Sequence, residues 1–596
     1  MKRFLPLILL VCGCLLPLFF PSCANTTQAP SGGKKDTIPP YIIDIKPLPG
    51  VVGVPLTGAS FAFTFNEYVT IKTPANIFLS PPQKRPPKSR LRGRSLIVSF
   101  EEPLKPNTTY TLSFTDAIAD ANEGNLFAGY TYVFSTGEQI DSLMMTGTVV
   151  DCNTLAPVKG ATVVLYKDHR DSAVYQGPPF AATKTDDWGY FVLPYIQDTL
   201  YRLYAIKDAN TDNLYDPETE QIAFIDSLLR PVMVAGDTVR EMLRYDMLDT
   251  LRCLARRSEH ELKLFREKPS KQYIVNKVRT SERSAYLTFH APGAWIDSLW
   301  IRGYRDDQLI SQFNILQDSL ELWINSRRAA PDTMRIYVNY RMTDSLGRLT
   351  PTQEIVKLPM TNDNRTYSKS SRRNIKREDT TCVYTFKAEP ETVEQNGFEL
   401  EFRNPIISER FDSIQFRVIN TRQRESSAEF TVEQDSLNLR RYILRPKDQL
   451  VPGFEYSMKL PYRAFRDING FYSDSTVVRV SLPTDETLSV LELEMTGVDR
   501  KIIVDLLGEK RDRVLRSYVI DKDGPLRFPY LKAGRYSIRI TEDGNRNNIV
   551  DTGSLLEHRQ PESVFFVELS GSSYIDIPAS TELVQPVSVG ELFNQP

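Results

Sequence analysis

The sequence predicts an all-β protein built as a tandem array of β-sandwich modules. Short runs alternate apolar and polar residues, as in residues 60–66, where Phe61, Phe63 and Phe65 fall on one face of a strand. Turns rich in Pro and Gly separate these runs. A chain of 596 residues is also too long for one hydrophobic core, and a usual domain size of roughly 100–150 residues predicts about four to five modules. A single catalytic domain is therefore disfavoured.

An internal repeat with a constant offset of 335 residues supports the array. Residues 200–220 read as a strand that ends in a loop of oxygen-bearing side chains, and the same construction returns at residues 535–551. Repeated segments of this kind indicate two copies of one module. The offset carries Tyr195 onto Tyr530, Tyr201 onto Tyr536, Asp208 onto Asp543 and Asp216 onto Asp551.

Charge and motif content argue against nucleic-acid binding and against the common hydrolases. The chain has 73 basic and 75 acidic residues and a formal net charge of −2, so no global field attracts nucleic acid. It has four histidines and lacks a Gly-x-Ser-x-Gly elbow, a phosphate-binding loop and a His-Glu-x-x-His pair. We predict a protein that is not an enzyme.

The first 36 residues predict export and anchoring. Residues 1–22 place two basic residues before an apolar run that ends at Phe20, as in a secretory signal peptide. The Pro-Ser-Cys-Ala junction resembles a bacterial lipoprotein cleavage site, which implies lipidation of Cys23. Residues 23–36 then form the lipid anchor and a flexible tether. We expect an outer membrane lipoprotein, with its periplasmic or surface face undetermined; an uncleaved anchor and free secretion are the alternatives.

Residues 37–137 contain short strands joined by characteristic turns. The segments DTIPP, FNEYV, LKPNTTY and the closing VFSTG resemble the bacterial Ig-like domain of S-layer-protein type that occurs at the front of Bacteroidota lipoproteins. Residues 382–484 repeat this pattern more faintly, with LVPGFEY in place of LKPNTTY. The resemblance implies two Ig-like sandwiches.

Residues 140–246 have a different pattern. MTGTVVD, TVVLYK and the hairpin TDDWGYF resemble the prealbumin-like sandwich of carboxypeptidase-regulatory and collagen-adhesin B-type modules. Residues 487–578 open with the same Met-Thr-Gly and form the second copy. Domains of this kind serve as spacers or stalks, which the resemblance implies here.

The remaining segments connect these units. We expect a charged, partly helical connector at residues 247–283, a third β-sandwich of unknown family at 284–360, and a loose tail at 579–596. Residues 361–381 read as a basic, flexible linker, with contact to an acidic glycan or phospholipid surface as the alternative. Cys152, Cys253 and Cys382 are too widely spaced for a disulfide framework and are predicted to be buried single thiols.

The repeated loops are candidate calcium sites. Alternating oxygen-bearing side chains suit a hard cation that takes six to eight oxygen ligands. The loop is not an EF-hand, because Asn213 stands where the Gly belongs and Thr219 where the bidentate Glu belongs. The alternative is a loop of Asx turns whose side chains satisfy their own backbone. The candidate ligands are Asp208, Asn210, Asp212 and Asp216, with Asp543, Asn545, Asn547 and Asp551 as a weaker second set.

These features predict a non-enzymatic, lipid-anchored envelope protein. It would act as a structural, display or adhesion scaffold, with calcium stiffening as a further hypothesis. The alternative is a glycan-binding accessory lipoprotein of a polysaccharide-uptake system. The expected partners are the membrane through the lipid anchor, and envelope proteins or glycans, without nucleic acid.

Overall fold

The computed structural model describes residues 36–127, 130–232, 259–361, 381–484, 488–569 and 571–593. The predicted signal peptide, Cys23 and nearly all of the tether lie outside the described residues, as do the start of the connector and almost all of the basic linker. The described part of the chain contains 42 strands and only short helices. The predicted all-β fold of sandwich modules is therefore confirmed, and we number the modules 1 to 5.

Module 1 is a sandwich with an aromatic core. Its strands are β1 (Ile42–Lys46), β2 (Ser60–Phe65), β3 (Val69–Ile71), β4 (Phe78–Ser80), β5 (Lys88–Arg92), β6 (Ser95–Ser99), β7 (Thr109–Ser113), β8 (Ile118–Asp120), β9 (Leu126–Phe127) and β10 (Thr131–Ser135). They form sheets in the orders β1-β2-β6-β5, β10-β7-β4 and β3-β8-β9. Phe63 of β2 lies 4.7 Å from Phe114, ring centre to ring centre. The alternating phenylalanines thus join the two larger sheets, as predicted.

Module 2 adds a strand that the sequence did not predict. Its strands are β11 (Leu143–Asp151), β12 (Thr162–Tyr166), β13 (Ala181–Lys184), β14 (Tyr190–Ile196), β15 (Arg202–Ile206), β16 (Ile222–Phe224) and β17 (His260–Leu264), with helix α1 (Ala173–Gln176). The sheets run β14-β11-β17 and β13-β12-β15-β16. Strand β17 pairs in parallel with β11.

The expectation of a partly helical connector at residues 247–283 is therefore wrong for its described part. Leu262 and Leu264 are buried in the core of module 2, with a spacing of two residues that belongs to a strand. The intervening charged side chains face outward. Their abundance is the reason why the sequence was interpreted as partly helical. Residues 274–281 of the same segment form the first strand of module 3.

Module 3 is a smaller sandwich. It contains β18 (Ile274–Ser281), β19 (Ser284–Phe289), β20 (Ile296–Ile301), β21 (Leu309–Phe313), β22 (Ser319–Ile324), β23 (Thr333–Thr343) and β24 (Leu349–Pro359). Its sheets run β18-β19-β22-β21 and β20-β23-β24. Side chains of both sheets share one core.

Module 4 repeats the strand order of module 1. Its strands are β25 (Tyr384–Lys387), β26 (Phe398–Phe402), β27 (Ile406–Glu409), β28 (Gln415–Ile419), β29 (Glu425–Ser427), β30 (Phe430–Gln434), β31 (Arg441–Pro446), β32 (Glu455–Leu460), β33 (Phe465–Asp467) and β34 (Thr476–Ser481), with helix α2 (Val393–Asn396). The order β25-β26-β31-β30 matches β1-β2-β6-β5, and the facing sheet is β29-β28-β32-β34. A small sheet pairs β27 with β33, as β3 pairs with β8.

Modules 1 and 4 share a tyrosine contact at the matching turn. The hydroxyl of Tyr110 accepts the backbone N–H of Lys105 at 2.8 Å. The hydroxyl of Tyr456 accepts that of Val451 at 2.6 Å, across the same five residues. The turn that the sequence matched, LKPNTTY against LVPGFEY, is therefore the same structure in both modules.

Module 5 repeats module 2, including its parallel edge strand. Its strands are β35 (Ser489–Thr496), β36 (Ile502–Gly508), β37 (Val514–Ile520), β38 (Gly524–Leu531), β39 (Gly534–Glu542), β40 (Val564–Phe566), β41 (Ile575–Ile577) and β42 (Glu582–Ser588), with helix α3 (Val589–Phe593). The order β38-β35-β42 matches β14-β11-β17, and β37-β36-β39-β40 matches β13-β12-β15-β16.

The prediction of a loose tail at residues 579–596 is therefore wrong in its described part. Strand β42 pairs in parallel with β35 from Glu582 to Ser588. Val587 and Val589 are buried in the core of module 5. Glu582, Val584 and Pro586 of β42 are exposed, so the composition of this segment gave little sign that its backbone completes a sheet.

Details of the 335-residue repeat also agree. Tyr195 and Tyr530 have positive φ values of 58° and 57° at the same bulge. The hydroxyl of Tyr201 donates to the carbonyl of Gln197, and that of Tyr536 donates to the carbonyl four residues before it. The correspondence between modules 2 and 5 that the repeat predicts therefore extends to individual hydrogen bonds.

Consecutive modules touch through polar and apolar contacts. The hydroxyl of Ser80 in module 1 accepts the backbone N–H of Ala182 in module 2 at 3.0 Å. Arg440 of module 4 forms an ion pair of 3.0 Å with Glu321 of module 3. Tyr530 of module 5 packs against the core of module 4.

Both cysteines in the described residues agree with their predicted role. Cys152 and Cys382 are free and buried. Burial raises the pKa of each thiol to about 12, which keeps the thiol protonated and unreactive. Cys253 lies outside the described residues.

Asp120 closes the turn between β8 and β9 in module 1. Its carboxylate accepts the backbone N–H groups of Asn122, Glu123, Gly124 and Asn125 at 2.6–3.1 Å. Desolvation raises the pKa of Asp120, but the four donors outweigh it and lower the pKa to about 2. The ionised carboxylate therefore stabilises the turn.

We predict that Asp120→Asn increases hydrogen exchange of the amides of residues 122–125. The amide side chain carries one acceptor oxygen in place of two, so part of these N–H groups lose their partner. Because the folded pKa is lowered from 3.8 to about 2, the contribution of Asp120 is full above pH ~4 and disappears as the pH falls through ~2. Exchange measured by mass spectrometry on the full chain tests this, with Glu123→Gln on the exposed side of the same turn as the control. Equal exchange in wild type and Asp120→Asn at pH 7 would contradict the prediction.

Candidate functional site: two matched loops and the junction they build

The first candidate loop follows β15 and is organised by its own side chains. The carboxylate of Asp208 accepts the backbone N–H of Thr211 at 2.6 Å and that of Asn213 at 3.0 Å. The side-chain oxygen of Asn210 accepts the N–H of Asp212 at 2.9 Å. These are Asx turns, so the alternative that the sequence left open is present in the structure.

Glu220 connects two parts of this loop through hydrogen bonds. Its two carboxylate oxygens accept the N–H groups of Ala209 and Asp216 at 2.9 and 3.1 Å, and the residue is 2% exposed. Burial raises the pKa of Glu220, the two N–H donors oppose this, and the charges of Asp208 and Asp212 raise it further. The loop therefore gathers negative charge around a buried carboxyl group.

The second candidate loop, after β39, has the same geometry. Asp543 accepts the N–H groups of Asn547 and Asn548, both at 2.9 Å. Glu562 takes the role of Glu220, because its carboxylate accepts the N–H of Gly544 at 3.0 Å and that of Asp551 at 2.8 Å. The sequence identified Asp543 and Asp551. It missed Glu562, because Glu220 and Glu562 are not related by the constant offset of 335 residues.

Backbone conformation explains why neither loop needs glycine. Asn213 and Asn548 have φ values of 59° and 65°, in the left-handed region that asparagine tolerates. Thr211 and Arg546 lie there as well, at 62° and 61°. The four matched angles show that the two loops share one conformation.

The structure describes all eight predicted calcium ligands and leaves the calcium hypothesis a prediction. Across the described residues, no three His, Cys, Asp or Glu side chains are grouped so that they could hold a metal ion. In the first loop the side-chain amide of Asn210 donates to Asp212 at 3.1 Å. Occupation by calcium would require this amide to turn its oxygen inward.

In the second loop a lysine already neutralises the carboxylate. The ammonium of Lys268, from the segment after β17 in module 2, lies 2.5 Å from Asp551. The side-chain amides of Asn545 and Asn547 donate to the other oxygen of Asp551 at 2.5 and 2.6 Å. Desolvation raises the pKa of Asp551, but these three donors outweigh it and lower the pKa. Lys268 therefore supplies the positive charge here.

Lys268 belongs to a larger contact in which module 5 packs onto module 2. Glu562 follows Asp551 by eleven positions, whereas Glu220 follows Asp216 by four. The additional residues extend the second loop toward module 2. There the hydroxyl of Thr552 donates to the carbonyl of Arg266 at 2.7 Å. The segment 552–559, which we call the docking loop, thus joins two modules that are distant in sequence.

The central contact of the docking loop is Leu555. Its side chain is 1% exposed and lies in a second hydrophobic cluster of module 2, on the outer face of the sheet β13-β12-β15-β16, together with Phe224 and Phe265. Its backbone N–H donates to Glu267 at 2.6 Å. Gly553 approaches Phe265 so closely that an added Cβ would lie 2.6 Å from the ring, and this excludes any larger residue. Burying a leucine stabilises the contact by about 1.5–3 kcal/mol.

Two further contacts widen this interface. Leu155 of module 2 packs against Leu507, Val564 and Phe566 on the outer face of a module 5 sheet. On the same face Arg539 forms a buried ion pair of 2.7 Å with Asp505. Strand β36 is consequently buried on both sides along Ile502–Leu507.

The rim of the interface is polar. The ring nitrogens of His558 each lie 3.3 Å from a module 2 carboxylate, Asp171 on one side and Asp226 on the other. The side-chain amide of Gln560 donates to the carbonyl of Phe224 at 3.0 Å.

Sequence reasoning missed this interface, although two signals were present. The run IIVDLL at residues 502–507 lacks strict alternation, as expected for a strand covered on both faces. The longer second loop places an apolar Leu-Leu pair between polar residues. Neither signal identifies the partner surface, because Phe224 and Phe265 lie about 300 residues away.

Comparison with known proteins identifies the first module. Residues 36–136 match the family model of the bacterial Ig-like domain, which agrees with the resemblance of residues 37–137. No curated protein matches the chain. Among the described residues no helix is both long enough and apolar enough to cross a membrane.

The solved structures that resemble this chain include an S-layer protein, a pilin subunit and a protein of a glucan utilization locus. The S-layer protein rSbsC(31-844) is 9% identical, with 71% of this chain and 64% of that chain covered and a TM-score of 0.15. BcpA, the major pilin subunit of Bacillus cereus, is 10% identical, with 75% and 99% covered and a TM-score of 0.12. SGBP-B of the Bacteroides ovatus mixed-linkage glucan utilization locus is 10% identical, with 73% and 94% covered and a TM-score of 0.17. Scores this low carry no argument about function.

We predict that millimolar calcium slows hydrogen exchange in residues 208–220 and leaves residues 543–562 unchanged. A divalent cation would relieve the repulsion around Glu220, whereas Lys268 already balances Asp551. Ligand at one hundred times its Kd stabilises the bound state by about 2.7 kcal/mol. Asp208→Asn with Asp212→Asn removes two charges at nearly constant shape and should abolish the effect. Unchanged exchange in the wild-type chain would contradict the prediction and favour the Asx-turn alternative for both loops.

We predict that Leu555→Asp separates module 5 from module 2 without unfolding either. An unpaired carboxylate in the buried cluster between module 2 and the docking loop costs several kcal/mol, so docking is lost. Small-angle scattering of the full chain should show a larger radius of gyration. Leu556→Asp is the matched control, because the neighbouring leucine is 68% exposed and its replacement should leave the radius unchanged. The same radius for both variants would contradict the role of Leu555.

Proposed function

We propose that this protein is a non-enzymatic, lipid-anchored scaffold of the bacterial cell envelope. The main support is the docking of module 5 onto module 2, because it joins the end of the array to its second module. An extended stalk would need contacts only between consecutive modules. The additional contact holds modules 2, 3 and 5 around one junction and fixes the orientation of their loops.

The cellular address is supported by the sequence and by module 1. The signal peptide and Cys23 predict export and lipidation, and the tether places about a dozen residues between the lipid and module 1. A bacterial Ig-like domain directly after such a tether suits a structural or adhesive role at the envelope. The outer membrane is the proposed location.

A scaffold of this kind presents surfaces to a partner and catalyses no reaction. Fixed orientation lowers the entropy that is lost on binding, which is the physical advantage of a closed array over a flexible one. The partners that fit this role are envelope proteins or glycans.

The proposal is tested in cells of the native bacterium. Cys23→Ser should remove the incorporation of radiolabelled palmitate and release the protein from the membrane fraction, because no thiol remains to be acylated. Leu555→Asp should keep the label and the membrane association but reproduce the envelope phenotype of the gene deletion, since the array is opened. Leu556→Asp is the control and should behave as wild type.

Two outcomes would contradict the proposal. Membrane association of Cys23→Ser would argue for an uncleaved anchor. A Leu555→Asp strain that shows the radius change in vitro but remains wild type in cells would mean that the closed array is not what the cell uses.

A further inference from the structure

The outer face of one module 3 sheet carries its side chains in rows that cross the strands. Strand β23 pairs with β20 on one side and with β24 on the other, so residues that lie opposite one another form rows of three. The side chains of such a row point to the same side of the sheet. Ile336 and Val356 point inward and belong to the core of module 3, and the alternate positions point outward.

One outward row consists of three cations. Arg335 lies opposite Lys357, and the N–H of Arg302, directly after β20, donates to the carbonyl of Arg335 at 3.0 Å. All three residues are exposed. Neighbouring strands are about 4.7–4.9 Å apart, so the row extends over about 10 Å.

These three cations have no counter-charge. None of them forms an ion pair within the part of the chain that the structure describes. The three strands contain two carboxylates, and both have other partners, because Glu354 is paired with Lys277 and Asp297 with Arg341. Like charges directly opposite one another destabilise a sheet. An anion bound along the row would remove this repulsion.

The next row is apolar and largely aromatic. Trp300, Tyr337 and Ile355 lie opposite one another. The rings of Trp300 and Tyr337 are stacked, with centres 5.0 Å and planes 4° apart, and Ile355 is 46% exposed. The stack restricts both rings, so an apolar ridge lies beside the cations at low entropic cost.

A third row presents neutral hydrogen-bonding groups on the other side of the ridge. Ser298, Asn339 and Gln353 lie opposite one another, and the amide of Asn339 donates to the hydroxyl of Ser298 at 2.8 Å. Hydroxyl and amide groups both donate and accept hydrogen bonds. The face therefore offers cations, an apolar ridge and neutral polar groups in parallel rows.

We propose that this face binds a linear acidic polysaccharide. Carboxylates of successive uronic acid units would pair with the cations, ring C–H groups would pack on the ridge, and hydroxyls would bond with the polar row. Successive cations are about 5 Å apart, which is comparable to the length of one sugar unit in a linear chain. The inference rests on the proposed scaffold function and deepens it by naming a class of partner.

Two other polyanions fit this face less well. Trp300 and Tyr337 are only partly exposed, whereas residues that anchor a protein in a membrane interface bury their apolar side chains among the lipids. The bases of single-stranded nucleic acid stack on free aromatic faces, whereas these two rings cover one face of each other.

The test is affinity gel electrophoresis of the full chain in mild detergent, at low and at high salt. The gels contain polygalacturonate or alginate, with dextran as the neutral comparison. At least one polyuronate should retard the wild-type protein at low salt, and high salt should weaken the effect because the contacts are ionic. Arg302→Gln with Arg335→Gln, the face variant, should raise the Kd about tenfold or more.

Two controls separate this face from general charge effects and from the docking of module 5. Arg422→Gln with Arg424→Gln removes the same charge from an exposed turn of module 4 and should bind as wild type. Leu555→Asp should also bind as wild type, because the face belongs to module 3 alone. Failure of the proposed function and failure of this inference therefore give different results.

The stability of the face variant supplies a second readout. Removing two like charges from opposite positions should leave the melting temperature unchanged or raise it, whereas a structural role of the arginines would require a decrease. Such a decrease would overturn the assignment of the row to ligand binding.

The binding measurements can overturn the inference in several ways. It fails if neither polyuronate retards the protein, if dextran retards it as strongly, or if the module 4 variant has the effect of the face variant. Stronger binding to phosphatidylglycerol vesicles or to single-stranded DNA would assign the face to a membrane or to nucleic acid instead. Loss of binding in Leu555→Asp would place the site at the junction with module 5.

Discussion

The burial of Leu555 in the hydrophobic cluster on the outer face of a module 2 sheet is the contact on which the shape of this protein depends. Without it, modules 2 and 5 would touch through Leu155 and through polar groups such as His558, whose ion pair with Asp171 is partly exposed. Exposed ion pairs contribute little, with typical values of about 0–1 kcal/mol. Burial of one leucine, together with Leu155 on the opposite part of the interface, therefore supplies the apolar core that the polar rim surrounds.

The tether between the two modules makes such a small core sufficient. Modules 3 and 4 connect the partners within one chain, so docking is an intramolecular event with a high effective concentration. The ion pair of Arg440 with Glu321 across the boundary of modules 3 and 4 restricts the relative orientation further. The interface thus resembles contacts between domains of one chain more than contacts between separate proteins.

The two loops show how one inherited conformation can take two roles. Both are built on an Asp after a strand, both close on a Glu that accepts two backbone N–H groups, and both use left-handed residues at the same positions. In the first loop the carboxylates accept hydrogen bonds from the same loop, and they are the candidate ligands for a cation. The second loop is longer by seven residues, contains amides in place of one carboxylate, and receives Lys268 from the partner module. Here the ammonium of another module provides the charge that a bound ion would otherwise provide.

The sequence by itself determined the fold class, most of the modules and the pairing of their repeats. Phe61, Phe63 and Phe65 predict a strand because alternation is a local property, and Tyr110 with Tyr456 or Asp208 with Asp543 can be matched by position alone. Only the tertiary structure decided that β17 and β42 complete sheets and that Leu555 enters module 2. A parallel edge strand and a docking contact both join residues that are distant in the chain, and the sequence pattern of each segment does not indicate which surface it will contact.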